Sequence, residues 1–489
     1  MPRPGLSKSK LLSFLQCSKR LWLEVHRPDA AEFSTEAERG FAVGYSVGEV
    51  ARQLVPGGVL IGGDDNLDDA LAETQKQISA GAETLFESTF EHEGVLVRAD
   101  ILTRSARGAL EITEVKASTR VKDYQLSDAA IQKWVITQAG LRVDSIAIDH
   151  VNADFVYPGD GRYQGLFQHV PVDKEIGRLL REVPKWVDDA RRTLAGAEPK
   201  IEMGPHCEDP FTCPFQDYCS ALAGKTEYPV TILPYGRKTV TRLIAEGYRD
   251  IREIPADSLG SENHERVRRV TQSGKPEFDE SVREAMRAFP YPRYFMDFET
   301  MYPAVPLWKG TSPYQQQPFQ WSCHIESKAG DLKHHEFLDT SGNAPMEAFL
   351  VSLLPVLGTK GPIFTYNASF ERRRLEELAE MFPNFAEAIS KVIDRIEDLL
   401  PLTRVHYYHP AMKGSWSLKS VMPTIDSSLD YENLDEVQEG GGAQVAYLEI
   451  LAPETPADRR AKLTEALRRY CRRDTEALVR LAHFLESGN

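Results

Sequence analysis

Two acids two residues apart, Asp297 and Glu299, lie in the run Tyr294-Phe-Met-Asp-Phe-Glu-Thr300. Their interleaving with Phe295, Met296 and Phe298 predicts a short central strand. Period-two spacing then puts both carboxylates on one side of it. Like charges projecting together from a buried strand are costly unless something positive sits between them. A divalent cation answers that need, and hard oxygen ligands suit Mg2+ or Mn2+. By itself the pair is equally a strand end with two solvated acids, so the segments that follow decide. Tyr366-Asn-Ala-Ser-Phe-Glu371 opens a predicted helix with an acid in its first turn, and Tyr470 and Asp474 stand one helical turn apart near the C-terminus.

A second set lies in the first quarter of the chain. Strands expected over Val95–Thr103 and Ala109–Ala117 carry Asp100, and then Glu114 and Lys116 on one face, so that a hairpin brings Asp100 opposite them. Two carboxylates can hold Mg2+ against a scissile phosphate while the lysine orients the attacking water. The competing reading is a surface hairpin with a cross-strand ion pair. The next predicted helix puts Gln132 one turn past Asp128, as a polar support beside such a site.

Six cysteines in 489 residues are no disulfide framework. Cys17 stands alone near the start, whereas Cys207, Cys213 and Cys219 fall within thirteen residues; Cys323 and Cys471 are expected in the core. Four thiolates suit zinc or an iron–sulfur cluster, either of which would staple the first helix to a segment almost two hundred residues away, and four unrelated buried thiols are the plain alternative.

The elements that must position these groups follow from patterning. The length predicts two to four domains, and 42% hydrophobic with 27% charged residues is ordinary globular composition. A net charge of −15 argues against indiscriminate coating of nucleic acid but leaves it open as a substrate. No apolar run reaches membrane-spanning length and Leu11–Leu15 is too short for a signal peptide, so the expectation is a cytoplasmic protein with no membrane partner. Helices are expected over Ser7–Leu23 and Glu36–Leu54, a hairpin turning at Glu93 and Gly94, and a helix around Ser127–Val135. The middle, about 226–288, predicts short basic helices around Gly247, similar to a helix-hairpin-helix, with Arg266, Arg268, Arg269 and Lys275 in support of phosphate contacts or of a plain helical linker. Beyond it come strands over Phe319–Ser327, Leu332–Leu338 and Pro362–Tyr366, and helices over Pro345–Leu357 and Leu463–Leu485.

With these residues in view, two resemblances stand out. Glu87-Ser-Thr-Phe, Arg98-Ala-Asp-Ile-Leu102, Glu114-Val-Lys116 and the Gln132 helix resemble the RecB-like branch of the PD-(D/E)xK nucleases, including the iron–sulfur nucleases linked to CRISPR adaptation. That resemblance implies Asp100, Glu114, Lys116 and Gln132 as catalytic, Asp100 and Glu114 as metal ligands, and Cys17, Cys207, Cys213 and Cys219 around a 4Fe–4S cluster, with zinc as the alternative. The branch often has a histidine on the early helix where this chain has Gly44, Gly48 and Glu49, and a tyrosine where it has Ile136.

The C-terminal set, Asp-x-Glu, then Asn-x2-Phe-acid, then Tyr-x3-Asp, resembles the three motifs of the RNase H-like DEDD exonucleases in their tyrosine subclass. This implies that Asp297, Glu299, Glu371 and Asp474 hold two Mg2+ or Mn2+ ions and that Tyr470 orients the water. Glu371 departs from the family's aspartate by one methylene. Gly414-Ser-Trp-Ser-Leu-Lys419 is similar to a substrate-side segment, with Lys413 and Lys419 for phosphates and Asp398 tuning the region; Arg372–Arg374, Arg468, Arg469, Arg472 and Arg473 read as part funnel and part helix surface. His406 and His409 read as solvated or stacking groups. The expected architecture is thus α/β: a restriction-endonuclease-like domain over 1–225, a helical segment over 226–288, and an RNase H-like domain over 289–489 with a mixed sheet flanked by helices. The expected function is a metal-dependent nuclease with a 3′–5′ exonuclease half, DNA ahead of RNA as partner, in DNA repair or in defence against foreign DNA. An RNA-processing exonuclease and a non-catalytic binder with a degenerate N-terminal half are the alternatives.

Overall fold

Where the sequence predicts one helix over Ser7–Leu23, the computed structural model has β1 (Leu6–Ser7), α1 (Lys8–Gln16) and α2 (Ser18–His26). Cys17 separates the helices in an extended conformation (φ −161°, ψ 119°), closing one and opening the other. A residue outside the helical ladder can aim its side chain away from both helix faces. The structure describes residues 5–62, 66–222, 224, 226–429, 437 and 440–488.

The chain divides into two units: residues 1–225 with 303–314, and residues 226–302 with 315–489. In the first, the helices continue with α3 (Thr35–Leu54). There follow β2 (Val59–Leu60), α4 (Leu67–Ser79), β3 (Thr84–His92), β4 (Val95–Arg104), β5 (Leu110–Lys116), α5 (Asp123–Gln138), β6 (Val143–Val151), β7 (Phe167–Pro171), α6 (Leu179–Ala195) and α7 (Gln216–Leu222). The strands form a mixed sheet in the order β2-β3-β4-β5-β6-β7, with β1 added parallel to the start of β4. Glu93 and Gly94 both take positive φ (48° and 73°), the two-residue turn that matches strand twist. Ala129, Ile131, Val135 and Ile136 of α5 bury against Leu85, Val97, Ile112 and Ile146 of the sheet. Residues 303–314 join this unit: Ala304 and Val305 pack with Val151, Phe155 and Leu166, and Tyr157 exchanges backbone hydrogen bonds with Gly310 and Thr311.

The second unit opens with α8 (Arg237–Ala245) and α9 (Glu262–Ser273). It continues with β8 (Glu277–Phe278), α10 (Val282–Ala288), β9 (Arg293–Met301), β10 (Gln317–Glu326), β11 (Leu332–Leu338), α11 (Met346–Val356), β12 (Ile363–Thr365), α12 (Ser369–Met381), α13 (Ala386–Ile393), β13 (Ile396–Asp398), α14 (Leu399–His406), β14 (Tyr407–Tyr408), α15 (Leu418–Val421), α16 (Gly440–Leu451) and α17 (Ala457–Ser487). Its main sheet runs β11-β10-β9-β12-β13, the first three antiparallel and the last two parallel to β9. Both units are therefore mixed α/β, and among the described residues no helix is long and apolar enough to cross a membrane.

After α8, Gly247 (φ 95°) leads to a single 3-10 turn, Ile251–Glu253, in place of a second helix. Val230, Leu233, Leu243 and Ile251 share one core with Phe295, Phe364, Leu399 and Leu481. Arg266 and Arg268 are buried: Arg266 donates to the carbonyls of Arg404 and Val405 and pairs with Glu277 at 2.8 Å, and Arg268 pairs with Glu265 at 2.8 Å. Two of the four cations named for phosphate contacts, Arg266 and Arg268, thus hold the core, as the helical-linker alternative requires.

Gly361 (φ 86°) turns the chain into β12, and a Cβ there would stand 1.9 Å from the Pro292 carbonyl oxygen, whereas Gly330 (φ 88°) in the β10–β11 turn has open space. Gly361→Ala should lower unfolding free energy by about 3 kcal/mol or more and Gly330→Ala by about 1 kcal/mol. Denaturant melts of the two variants measure this; equal losses would mean that backbone conformation alone sets the cost.

Candidate functional site

In the first unit, Ile101 of β4 pairs with Thr113 of β5, and the ladder ends there. The next positions along are Asp100 and Glu114, where the Asp100 carboxylate accepts the Val115 N–H at 2.6 Å. Across β4 on the other side stands Glu87, whose φ of 54° within a strand is strained for a residue with a side chain; Arg52 of α3 pairs with it at 2.9 Å. Glu49, one turn before Arg52, is exposed.

The expected residues converge. Glu114 Oε1 is 2.6 Å from Lys116 Nζ and Glu114 Oε2 accepts from Gln132 Nε2 at 2.6 Å. Two further groups complete the cluster. Asp128 of α5 lies 2.7 Å from Lys116 Nζ and accepts from Gln132 at 2.9 Å. Lys8, the first residue of α1, reaches Glu114 at 2.8 Å and Asp128 at 3.1 Å. The i, i+4 spacing of Asp128 and Gln132 was visible in the sequence, whereas nothing there signalled Lys8. Burial and the charge of Glu114 push the Asp100 carboxyl up to about 8, against the pull of both lysines. Burial also works to raise Asp128, but Lys116 and Lys8 outweigh it and hold that carboxyl well below the usual range.

In the second unit, β9 is the central strand, buried on both faces along most of its length. Asp297 and Glu299 project from one face of it, and their carboxylates and the Cys471 sulfur all lie within 4.8 Å of one another. Glu371 arrives from the first turn of α12. Its approach is set by Asp398 at the end of β13, whose oxygens accept the N–H groups of Asn367 and Ala368 at 2.9 and 3.0 Å, and that of Leu400 at 2.9 Å. Asn367 in the left-handed region (φ 70°) completes the turn. Tyr470 and Asp474 come from α17, whose register is pinned along its length. Gln320 donates to the Leu467 carbonyl at 2.9 Å, and Thr475 bonds Ser322 and His324 at 2.8 Å each. Farther along, His483 meets Glu326 at 2.6 Å and Arg293 meets Glu486 at 2.8 Å. Helical spacing then turns Tyr470, Cys471 and Asp474 toward β9.

Burial, then the charges of Asp474, Glu299 and Glu371, drive the Asp297 carboxyl well above its ordinary range. Burial and Asp474 do the same to Glu299, opposed by Lys419. Burial raises Glu371 to about 8, and its Oε2 has no hydrogen-bond partner among the described residues. Lys419 lies over the Tyr470 ring, 5.1 Å from its centroid. Several of the flanking arginines and both histidines make contacts of their own. Arg374 is buried against Glu377, and Arg372 bonds the Ile396 carbonyl. Arg472 pairs with Glu476 and Arg473 with the Ser428 carbonyl. His406 faces Asp279 and His409 accepts the Ala411 N–H.

The four early and late cysteines of the first unit line one small cavity with Lys19, Arg20, Met203 and Phe215. All four are half-buried, and none is in a disulfide. Cys213 N–H bonds the Cys207 carbonyl at 2.8 Å, and Gln16 ties α1 to the carbonyls of His206 and Phe211 at 2.7 and 2.6 Å. Burial pushes the Cys213 thiol up to about 11, with added repulsion from Cys207 and Cys17. Cys207 and Cys219 are raised for the same reasons.

Residues 294–417 match a family described as a domain of unknown function (DUF2779). The match contains Asp297, Glu299 and Glu371 but stops short of Tyr470 and Asp474. The uncharacterized protein MG366 of Mycoplasma genitalium strain G37 is 22% identical over 213 residues, 40% of this chain and 32% of that relative, so the match spans about a third of its length. A solved structure titled SSO0001 aligns at 14% identity over 44% of this chain and 85% of its own, with a TM-score of 0.21.

A carboxyl that binds its proton more tightly folded than unfolded favours the folded state at low pH and loses that advantage as pH rises. For Asp100 and Glu371, with folded values of about 8, the loss runs from about pH 4, their unfolded range, to about pH 8. In chelator, the thermal midpoint should fall across that window, and Glu371→Gln should fall less and melt higher than wild type at the alkaline end. Parallel curves for the two proteins would contradict the buried-carboxyl account.

Proposed function

We propose that the chain is a metal-dependent nuclease acting on DNA, with a site in the second unit that removes nucleotides from the 3′ end of a single strand and a second phosphodiester-cutting site in the first. One observation carries this reading: the Asp297 and Glu299 carboxylates and the Cys471 sulfur lie within 4.8 Å of one another, where the charge of Asp474 raises both acids and that of Glu371 raises Asp297. A divalent cation bound there would neutralise the scissile phosphate and make its water a better nucleophile. The unpartnered Glu371 Oε2 and the upward-shifted acids fit such a ligand set. Tyr470 would orient the water, and Lys419, over its ring and acting on Glu299, supplies a cation on the side where the strand's phosphates would lie. A mixed sheet with β9 antiparallel to β10 on one side and parallel to β12 on the other supports the RNase H-like reading.

In the first unit, Asp100 and Glu114 would be the ligands, Lys116 the group that orients water, and Gln132 the residue that fixes Glu114. We assign a 4Fe–4S cluster to Cys17, Cys207, Cys213 and Cys219. The four cysteines line one small cavity, and a cluster there would staple α1 to the segment after α6; zinc is the alternative.

Labelled single-stranded DNA and its RNA counterpart, digested side by side with Mg2+ or Mn2+, test the substrate. Asp297→Asn should cut DNA degradation by about a thousandfold or more while Lys116→Ala retains it; the reverse pattern moves the exonuclease to the first unit, and faster loss of the RNA makes this an RNA-processing enzyme. Binding without degradation by the wild type would leave a nucleic-acid-binding protein. Anaerobic purification should give a brown protein whose visible absorbance disappears in Cys17→Ser, whereas a colourless, zinc-containing wild type would overturn the cluster.

A further inference from the structure

Lys8 is the one member of the first unit's cluster that sequence patterning passes over, and its bonds are redundant. Its ammonium touches Glu114 Oε1 and Asp128 Oδ1. Lys116 already holds both of those carboxylates, at 2.6 and 2.7 Å, and Gln132 bonds both again. Removing Lys8 would therefore leave neither acid without a partner. The two carboxylates form the floor of the cluster at 2% side-chain exposure, while Lys8 enters from the solvent side at 20%. A lysine carries a compact charge on a flexible stem and can change partners without moving its backbone. The backbone here is fixed: Lys8 follows β1, which is paired to Val95 and Leu96, and Ser7 caps α1 by accepting the Lys10 N–H at 3.2 Å.

Formal charges sharpen the point. Once a bound metal ion draws the proton from Asp100, that residue, Glu114 and Asp128 bring three negative charges, and Lys8 and Lys116 two positive ones. A divalent cation added to that set leaves an excess of one positive charge; exchanged for Lys8, it leaves none. Buried sites disfavour uncompensated charge.

We infer that Lys8 is a substrate-binding residue of the first unit: its ammonium leaves the Glu114–Asp128 pair when a divalent cation takes Asp100 and Glu114, and then binds a backbone phosphate of the nucleic-acid strand. The inference rests on the proposal that this cluster is a metal site.

Mn2+ binding to the full-length protein, followed by electron paramagnetic resonance and calorimetry without nucleic acid, tests this with no turnover involved. Glu114→Gln should remove one class of bound Mn2+, which defines the first unit's contribution. Lys8→Met should keep that class and tighten it about tenfold, since a competing cation has gone. In Ca2+, the same variant should bind a single-stranded oligonucleotide about fivefold more weakly, with a salt slope smaller by about one. Lys8→Arg, which keeps the charge, should follow wild type in strand binding; if Lys8→Met does not fold, Lys8→Gln is measured in its place. Mn2+ affinity in the Lys8 variant equal to or weaker than wild type, or unchanged strand binding, would overturn the role of Lys8 alone. No Mn2+ lost in Glu114→Gln would overturn the metal site and the inference together.

Discussion

Carboxylates packed side by side out of water oppose folding. Two unit charges 4.8 Å apart, the limit that Asp297 and Glu299 satisfy, repel by about 3 kcal/mol at an effective dielectric of about 20. The remainder of each unit is arranged to tolerate such a cluster, and the two units do so differently. The first interleaves its acids with the ammonium groups of Lys8 and Lys116, which hold Asp128 ionised. In the second, Asp297 and Glu299 are driven toward their protonated forms, with Lys419 as the opposing charge on Glu299. An arrangement that gives up stability to hold like charges together is what a site for divalent cations requires, and the second unit expresses it more strongly.

Holding such groups in place takes rigid support. In the second unit that support is α17, tied to β9 and β10 at Leu467, Thr475, His483 and Glu486. Those ties are two turns apart or closer, so a one-residue slip of the helix would break them together and swing Tyr470 and Asp474 away from Asp297. Asp398 does the corresponding work for Glu371. Its two oxygens collect three backbone N–H groups, which fixes where α12 begins and therefore where its first-turn acid points. Burial of the Ser322–Thr475–His324 network is tolerable because its hydroxyls and His324 Nδ1 all have partners, whereas Glu326 Oε2 and Arg293 Nε in the ion pairs have none among the described residues.

The first unit reaches the same end through its sheet. Strands β4 and β5 stop pairing at Ile101 and Thr113, and in the gap the Asp100 side chain takes a backbone N–H that the ladder would otherwise use. Strain at Glu87 sits directly across from that point. The divergence opens room for groups from α1 and α5 to enter. A similar break, at Cys17, turns a continuous helical pattern into two helices and brings a thiol from the N-terminus beside three others about 190 to 202 residues along the chain.

Much of this was legible in one dimension. Strand alternation placed Asp297 beside Glu299 and Glu114 beside Lys116, and helical spacing joined Tyr470 to Asp474, because those relations depend on local backbone period alone. Turn chemistry at Glu93 and Gly94 was legible for the same reason. Side-chain partners were not. Arg266 and Arg268 read as surface cations in a basic stretch, yet the core they enter is assembled from Phe295, Leu399 and Leu481 far along the chain. Lys8 carried no periodic signal, since its partners lie 106 and 120 residues away. Nor did any shift in composition announce that residues 303–314 pack with the first unit. Local sequence thus determined which faces the acids occupy; the tertiary structure decided which charges meet, because desolvation and Coulomb forces act through space and take no account of separation along the chain.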